Sequence, residues 1–186
     1  MRPAGIRWIG PGPGDRVLLE ALRRDVVREL RTSAALVDDG ARPGDLAFDP
    51  QRRQHATRPL LHWLEEHRGA AYERVLGVTD VDLFVPILQY TFGEAILSGT
   101  VAVVSLARMG GVHGPPLARR IAYGRVVKEG LHELGHTFGL LHCDEPRCLM
   151  ARAAGVAQVD RKRTHLCAAC SERLETLRWD TDDHFE

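Results

Sequence analysis

The chain has 186 residues, of which 44% are hydrophobic, so it is long enough to bury a core and close to the usual size of one domain. Lys and Arg together number 25, as do Asp and Glu, which gives a formal net charge of zero. This balance argues against a nucleic acid or an anionic membrane as a partner. We expect a single domain over residues 1–186, acting as a monomer.

The N-terminus and the cysteines bear on the compartment of the protein. The segment MRPAGIRWIGPGPGDR contains only a short apolar run, broken by Arg7, so it predicts neither a signal peptide nor a membrane span. We therefore expect a cytoplasmic protein. The four cysteines could form two disulfides in a secreted chain, but in a reducing compartment clustered cysteines more often bind metal.

The N-terminal third of the sequence predicts alternating strands and helices. Residues 6–9 predict a strand, and GPGPG then turns the chain toward an amphipathic helix from about Asp15 to Arg31, where apolar residues recur at helical spacing. Residues 34–37 predict a second strand. A second helix is expected to have Thr57 as its N-cap and to stop at Gly69.

Two further strands and a long helix follow. Residues 75–86 and 99–107 are rich in Val, Leu and Ile and predict strands of one sheet. Residues 92–97, between them, are interpreted as an edge strand beside a cleft. The long helix is predicted to begin at Pro116 or Leu117 and to run through HELGHTFGL. This order of elements is typical of an α/β or α+β fold.

The segment HELGHTFGLLHC contains a metal-binding pattern. His132 and His136 are four residues apart, which places both imidazoles on one face of a helix. Glu133 completes HExxH, a pattern in which two histidines hold zinc and the glutamate accepts a proton from the metal-bound water. The alternative is that these residues belong to an ordinary buried helical stripe, because apolar residues also recur along this helix.

The residues after the helix favour the metal site. Gly139 can adopt a left-handed backbone conformation, so the helix can end there and the chain can return His142 to the same ion. Three histidines leave one tetrahedral position open for water, which is typical of catalytic rather than structural zinc. Because the three histidines are neutral, the double charge of the ion is not compensated and lowers the pKa of the bound water to about 7.

The cysteines predict a second metal site. CDEPRC and CAAC supply two close pairs separated by a loop, as in a tetrahedral zinc site with four cysteine ligands. Two disulfides are one alternative, and a zinc ribbon that contacts nucleic acid is another. Basic residues lie between or beside the pairs, but no aromatic residues interleave them, and we interpret them as part of a solvated loop. These residues are Arg147, Arg152, Arg161, Lys162 and Arg163.

The order HExxHxxGxxHC, then CLM and CAAC, resembles the archaemetzincins, a family of metzincin zinc metalloproteases. The resemblance implies a compact metzincin-like domain in which a twisted mixed sheet packs on helices, and a C-terminal segment that binds zinc through four cysteines follows the active-site helix. It also implies two zinc ions. The catalytic ion would be held by His132, His136 and His142, and the structural ion by Cys143, Cys148, Cys167 and Cys170. Glu133 would be the general base, and Met150 would form the Met-turn, although packing alone would make it a core methionine.

The function implied is that of a zinc metallopeptidase, which hydrolyses peptide bonds of a peptide or protein substrate with zinc-activated water. The alternative is a metal-stabilised interaction module whose zinc site is idle or sealed. An intact Glu133 favours the enzyme, because a structural site needs no base. Nothing in the sequence defines a specificity pocket or distinguishes an aminopeptidase from an endopeptidase.

Cys143 directly follows His142, which suggests a connection between the two sites. A closed thiolate site would fix the backbone at the point where His142 must face the catalytic ion. We therefore hypothesise that the cysteine site acts as a brace for this ligand.

Overall fold

The computed structural model describes residues 2–182, in which strands and helices alternate along the chain. In chain order the elements are β1 (Ala4–Trp8), α1 (Arg16–Glu29), β2 (Ala34–Val37), β3 (Phe48–Asp49), β4 (Gln54–Ala56), α2 (Thr57–Glu66), β5 (Arg74–Thr79), β6 (Leu83–Phe84), β7 (Gly93–Ala95), β8 (Val101–Ser105), α3 (Pro116–Thr137), α4 (Val156–Arg161) and α5 (Ala168–Asp182). Within these residues, no helix combines the length and the apolar content that crossing a membrane requires.

A five-stranded mixed sheet forms the centre of the fold. Its strand order is β2-β1-β5-β8-β7, with the first four strands parallel and β7 antiparallel to β8 at one edge. Every residue of β1 and β8 is buried, because helices cover both faces of the sheet. Helices α1 and α3 pack on one face and α2 packs on the other. The predicted fold class is therefore confirmed, as are the strand at residues 34–37 and the approximate position of β1.

The prediction of one long strand over residues 75–86 was wrong. The chain forms β5, bends at Asp80 and Val81, and then forms β6, which belongs to a separate three-stranded sheet of order β3-β4-β6. The bend has a local cause, because the hydroxyl of Thr79 accepts a hydrogen bond from the backbone N–H of Val81 at 3.3 Å. Asp82 then accepts a hydrogen bond from the side chain of Gln54.

Helix α1 begins as its sequence predicts. The Asp15 carboxylate is the N-cap and accepts hydrogen bonds from the backbone N–H groups of Val17 and Leu18 at 2.9 and 3.2 Å. The helix ends at Glu29, two residues before the predicted end, because Arg31 has a left-handed backbone with φ of 49°.

The predicted N-cap of α2 was wrong. Thr57 is the first helical residue, and Ala56 occupies the N-cap position without a side-chain hydrogen bond. The Thr57 hydroxyl instead donates to the Glu94 carboxylate, which ties α2 to β7. The helix ends at Glu66, before the predicted stop at Gly69.

Helix α3 approaches the sheet and α1 closely through a glycine. A Cβ atom at Gly130 would lie 2.9 Å from Cδ2 of Leu22 and 3.2 Å from Cδ2 of Leu76, and both leucines are fully buried. Gly124 lies on the exposed side of the same helix, with no atom within 4 Å of its Cβ position. The two glycines therefore differ in packing within one helix.

These glycines should respond in opposite directions to substitution. Gly124→Ala should raise the free energy of unfolding by about 0.5–1 kcal/mol, because alanine loses less backbone entropy in a helix. Gly130→Ala should lower it by about 1–2 kcal/mol, because the new methyl group overpacks the contact with α1 and β5. Urea unfolding of the two variants and the parent measures both effects. Equal stabilisation by both substitutions would show that α3 is loosely packed against α1 and β5 at Gly130.

Candidate metal centre

The last turns of α3 and the segment after it bring three histidines together. His132 and His136 project from one face of the helix, which ends where Gly139 adopts a φ of 92°. The chain then turns and presents His142 to the same point. The ring centroids are 4.6 Å apart for His132 and His136, 4.8 Å for His136 and His142, and 5.3 Å for His132 and His142. The prediction that these side chains converge is confirmed.

Hydrogen bonds orient two of these rings. The Nδ1 atom of His132 lies 3.0 Å from the carbonyl oxygen of Leu149, and that of His136 lies 2.7 Å from the carbonyl oxygen of Leu140. Because a carbonyl can only accept, each Nδ1 carries the hydrogen and each Nε2 keeps a free lone pair.

The orientation of these lone pairs fits a zinc ion. The two Nε2 atoms of His132 and His136 are 3.1 Å apart. Two nitrogens on a tetrahedral zinc with Zn–N bonds of about 2.0–2.1 Å are separated by about 3.3 Å, so only a small adjustment is needed. One nitrogen from each of the three histidines lies within 4.8 Å of the others.

The surroundings keep the histidines neutral, which is the form that binds metal. Burial holds the pKa of His132 well below its ordinary value, and the positive charge of Lys162 lowers it further. Burial also lowers the pKa of His136, and it lowers that of His142 to about 4. Arg152 contributes to both of these shifts through its charge.

A cleft with a volume of about 560 Å³ opens on the three histidines. One wall is β7, the edge strand predicted within residues 92–97, and the floor includes Glu133. Gly93 lets this wall approach closely, since a Cβ atom there would lie 2.7 Å from Cγ of Glu133. Burial raises the pKa of the Glu133 carboxyl well above its usual range. Within residues 2–182 no side chain hydrogen-bonds to this carboxyl, which leaves it available to the cleft.

Met150 lies beneath the active-site helix and is fully buried. A Cβ atom at Gly135 would lie 2.8 Å from its sulfur, so this glycine allows the thioether to pack directly under the turn that carries His132 and His136. Met150 is therefore an apolar support under this part of α3, and its Met-turn role stays a prediction.

The four cysteines form a second cluster, with all thiols free and their sulfur atoms within 4.8 Å of one another. The sulfurs of Cys143 and Cys167 are 3.8 Å apart, which matches the separation of about 3.8 Å expected for thiolates on a tetrahedral zinc with Zn–S bonds of about 2.3 Å. Burial raises the pKa values of Cys148 and Cys170, whereas the backbone N–H of Cys170 lowers that of Cys167. The donor set fits a closed structural zinc site.

One short segment connects the two clusters. The backbone N–H of Cys143 donates to the carbonyl oxygen of Met150 at 2.9 Å, and the N–H of Met150 lies 3.4 Å from the sulfur of Cys148. Leu149, between them, provides the carbonyl that orients His132. The segment thus contacts Cys143 and Cys148 of the cysteine cluster and, through the Leu149 carbonyl, His132.

The interpretation of the basic residues as a solvated loop was wrong for Lys162. Its side chain is buried, and its Nζ lies 2.7 Å from the Glu129 carboxylate and 3.2 Å from Nδ1 of His132. Glu129 lies four residues before Glu133 on the same helix face and also lines the cleft. The spacing of Glu129 could have indicated its position, but nothing local marks Lys162 as its partner. His113 and His165 are exposed.

Comparison with known proteins identifies the family. Residues 36–176 match peptidase family M54. The archaemetzincin of Methanopyrus kandleri is 43% identical over 129 residues, which cover 69% of this chain and 70% of that protein. The crystal structure of an archaemetzincin from the same organism has a TM-score of 0.84, with 33% identity and 96% of each chain covered.

A second solved structure supports the same assignment. A zinc-dependent peptidase from Methanocorpusculum labreanum has a TM-score of 0.80 and 30% identity, covering 92% of this chain and 99% of that one. The match to the family spans most of the chain, including both metal-binding clusters and the edge strand beside the cleft. This chain belongs to the archaemetzincins of peptidase family M54 and is a zinc metallopeptidase.

Proposed function

We propose that Glu133 is the general base of peptide-bond hydrolysis and that the chain holds two zinc ions, one catalytic and one structural. The observation that carries this proposal is the convergence of three imidazoles, two of them oriented by hydrogen bonds, on a cleft that also receives the Glu133 carboxyl. The proposed ligands are His132, His136 and His142 for the catalytic ion, and Cys143, Cys148, Cys167 and Cys170 for the structural ion. A zinc ion bound by three histidines supplies an acidified water and polarises a carbonyl group.

The proton is moved by the chain itself. Glu133 accepts it from the attacking water and delivers it to the nitrogen of the leaving amine. Its position supports this role, because Gly93 and β7 hold the side chain in the wall of the cleft, and no described residue competes for its oxygens. A carboxyl in this place can reach both the water and the amine of a bound peptide.

The edge strand supports a peptide or protein as the substrate. Strand β7 pairs with β8 on one side only, so its other side can pair with an extended peptide backbone. Such pairing would place a peptide bond across the floor of the cleft. The open cleft and the intact Glu133 favour this function over an interaction module with an idle or sealed zinc site. The single domain, the monomeric state, the cytoplasmic location and the absence of nucleic acid or membrane partners stay predictions.

Replacing Glu133 tests the catalytic assignment. Glu133→Gln keeps the shape of the side chain but removes its ability to accept a proton, so hydrolysis should fall by about 10²–10⁴-fold while zinc content stays the same. Digestion of a mixed peptide library followed by mass spectrometry measures the first quantity, and elemental analysis measures the second. Glu66→Gln, on an exposed position of α2, is the matched control. Equal cleavage by Glu133→Gln and the parent would refute the role of the base.

Replacing a cysteine tests the brace between the two sites. Cys170→Ser should weaken the cysteine site directly. It should also weaken zinc binding by the histidines by about 10–100-fold, because the segment that orients His132 and bonds to the backbone of Cys143, next to His142, loses its anchor. Titration with Co²⁺ separates the two sites, since a thiolate-to-cobalt absorption band reports only the cysteines. His165→Ser, beside the cluster but exposed, is the control.

The expected result is a histidine site that loses its metal at a lower chelator concentration in Cys170→Ser than in His165→Ser. Cys148→Ser, which removes the buried member of the cluster, should give the same result. If both cysteine variants retain the histidine-bound ion as the parent does, the two sites are independent and the brace hypothesis fails.

A further inference from the structure

The cleft continues past His142 into a second groove. This groove has a volume of about 320 Å³ and is lined on one side by Arg152 and Arg161. Arg152 lines both the main cleft and the groove, and His142 lies at the junction between them. A peptide that crosses the histidine centre can therefore extend toward these two arginines.

Neither arginine has a carboxylate partner within residues 2–178, whose side chains the structure describes. Other arginines of this chain are neutralised by bidentate pairs, such as Arg108 with Asp82 and Arg125 with Asp160, whose shortest distances are 2.6 and 2.7 Å. The side chains of Arg152 and Arg161 are exposed and make no ion pair within 4.0 Å among the described residues. Their guanidinium donors are thus available to a ligand.

The charge of Arg152 lies beside the three histidines in the lining of the cleft. A positive charge beside the site repels a divalent cation, and the charge of Arg152 already acts on His136 and His142. A carboxylate bound to Arg152 would offset this repulsion. The carboxylate of Asp144 lines the same groove, but it makes no ion pair with Arg152 or Arg161 within 4.0 Å, so the arginine donors stay open to a ligand.

The other surfaces of the cleft have a different character. Exposed aliphatic side chains, Leu88, Leu97 and Leu141, border it, with 48%, 51% and 65% of their surfaces exposed. Its charged lining apart from Arg152 is acidic, and consists of Glu94, Glu129 and Glu133. The basic side chains of the cleft and groove, Arg152 and Arg161, lie together at the end beside His142, where Asp144 is also part of the lining. The charge of the peptide residue at that end would therefore affect how tightly the peptide binds.

We propose that Arg152 and Arg161 bind a carboxylate of the peptide substrate at the end of the cleft beside His142. The proposal rests on the function proposed above and names the substrate class, peptides with a carboxylate close to the cleaved bond. An extended peptide advances about 3.3 Å per residue, so peptides that carry the carboxylate at successive positions show which residue the arginines reach. It is either the side chain of Asp or Glu or the C-terminal carboxylate, and the planar guanidinium can bind both in a bidentate manner.

Binding to a zinc-loaded Glu133→Gln protein tests the proposal without relying on catalysis. Fluorescently labelled peptides of one sequence carry Glu, Gln or Lys at single positions, and each is made with a free or an amidated C-terminus. We expect the peptide with a carboxylate to bind about 10-fold more tightly than its neutral counterpart, measured by fluorescence anisotropy. Preference for Glu over Gln in amidated peptides identifies a side chain, whereas preference for the free over the amidated terminus in Gln peptides identifies the C-terminus.

Arginine variants in the same background locate the effect. Arg152→Ala and Arg161→Ala should each reduce the preference for the carboxylate, and Arg152→Lys should restore only part of it because lysine lacks the bidentate fork. Arg120→Ala is the control, since it removes the same charge from an exposed position about 18 Å from His132 along α3. Circular dichroism and zinc content show whether each variant is folded and loaded.

Three outcomes would overturn the proposal. The carboxylate and neutral peptides could bind equally to the parent, or Arg120→Ala could reduce the preference as much as Arg152→Ala does, which would indicate a general electrostatic effect. Arg152→Ala could also slow the cleavage of all peptides equally in the active enzyme without changing their binding, which would place Arg152 in the chemistry. If the Glu133→Gln protein binds peptides with the expected preference but the unsubstituted protein cleaves none of them, the proposed function is refuted and this inference stays intact.

Discussion

The hydrogen bond between Nδ1 of His132 and the carbonyl oxygen of Leu149 is the contact on which the two sites depend. It fixes the tautomer of a proposed ligand, so that Nε2 faces the other histidines. It also joins α3 to the segment that carries Cys148 and Met150. The orientation of the active-site helix and the path of the cysteine segment are therefore specified together, and neither can shift without moving the other.

The sheet determines where this helix lies relative to the cleft. Close contact at Gly130 seats α3 on the same face as α1, and Gly93 lets the edge strand approach Glu133. At both positions a Cβ atom would come too close to side chains of the neighbouring element. The cleft is thus formed by one helix and one strand edge, each held by the buried centre of the fold. His142 lies beyond the end of this helix, on the turn after Gly139.

The sequence predicted local features well and distant contacts poorly. The spacing of His132, His136 and His142 specified their convergence, because helix geometry and one glycine determine it. The prediction of Thr57 as an N-cap failed because its hydroxyl bonds to Glu94 on another element. The strand predicted over residues 75–86 breaks after β5 because Thr79, Asp80 and Asp82 interrupt the apolar run there. Lys162 was assigned to solvent, since its partner lies 33 residues away and only the tertiary structure brings them together.

The two cationic groups beside the histidines differ in their exposure, and this difference has a consequence for ionic strength. Lys162 and Glu129 are paired out of contact with water, where dissolved ions screen them little. Arg152 is open to solvent, so added salt competes directly for its charge. Raising the salt concentration should therefore weaken the binding of a charged peptide, while the electrostatic effect of the buried Lys162–Glu129 pair on His132 stays almost unchanged.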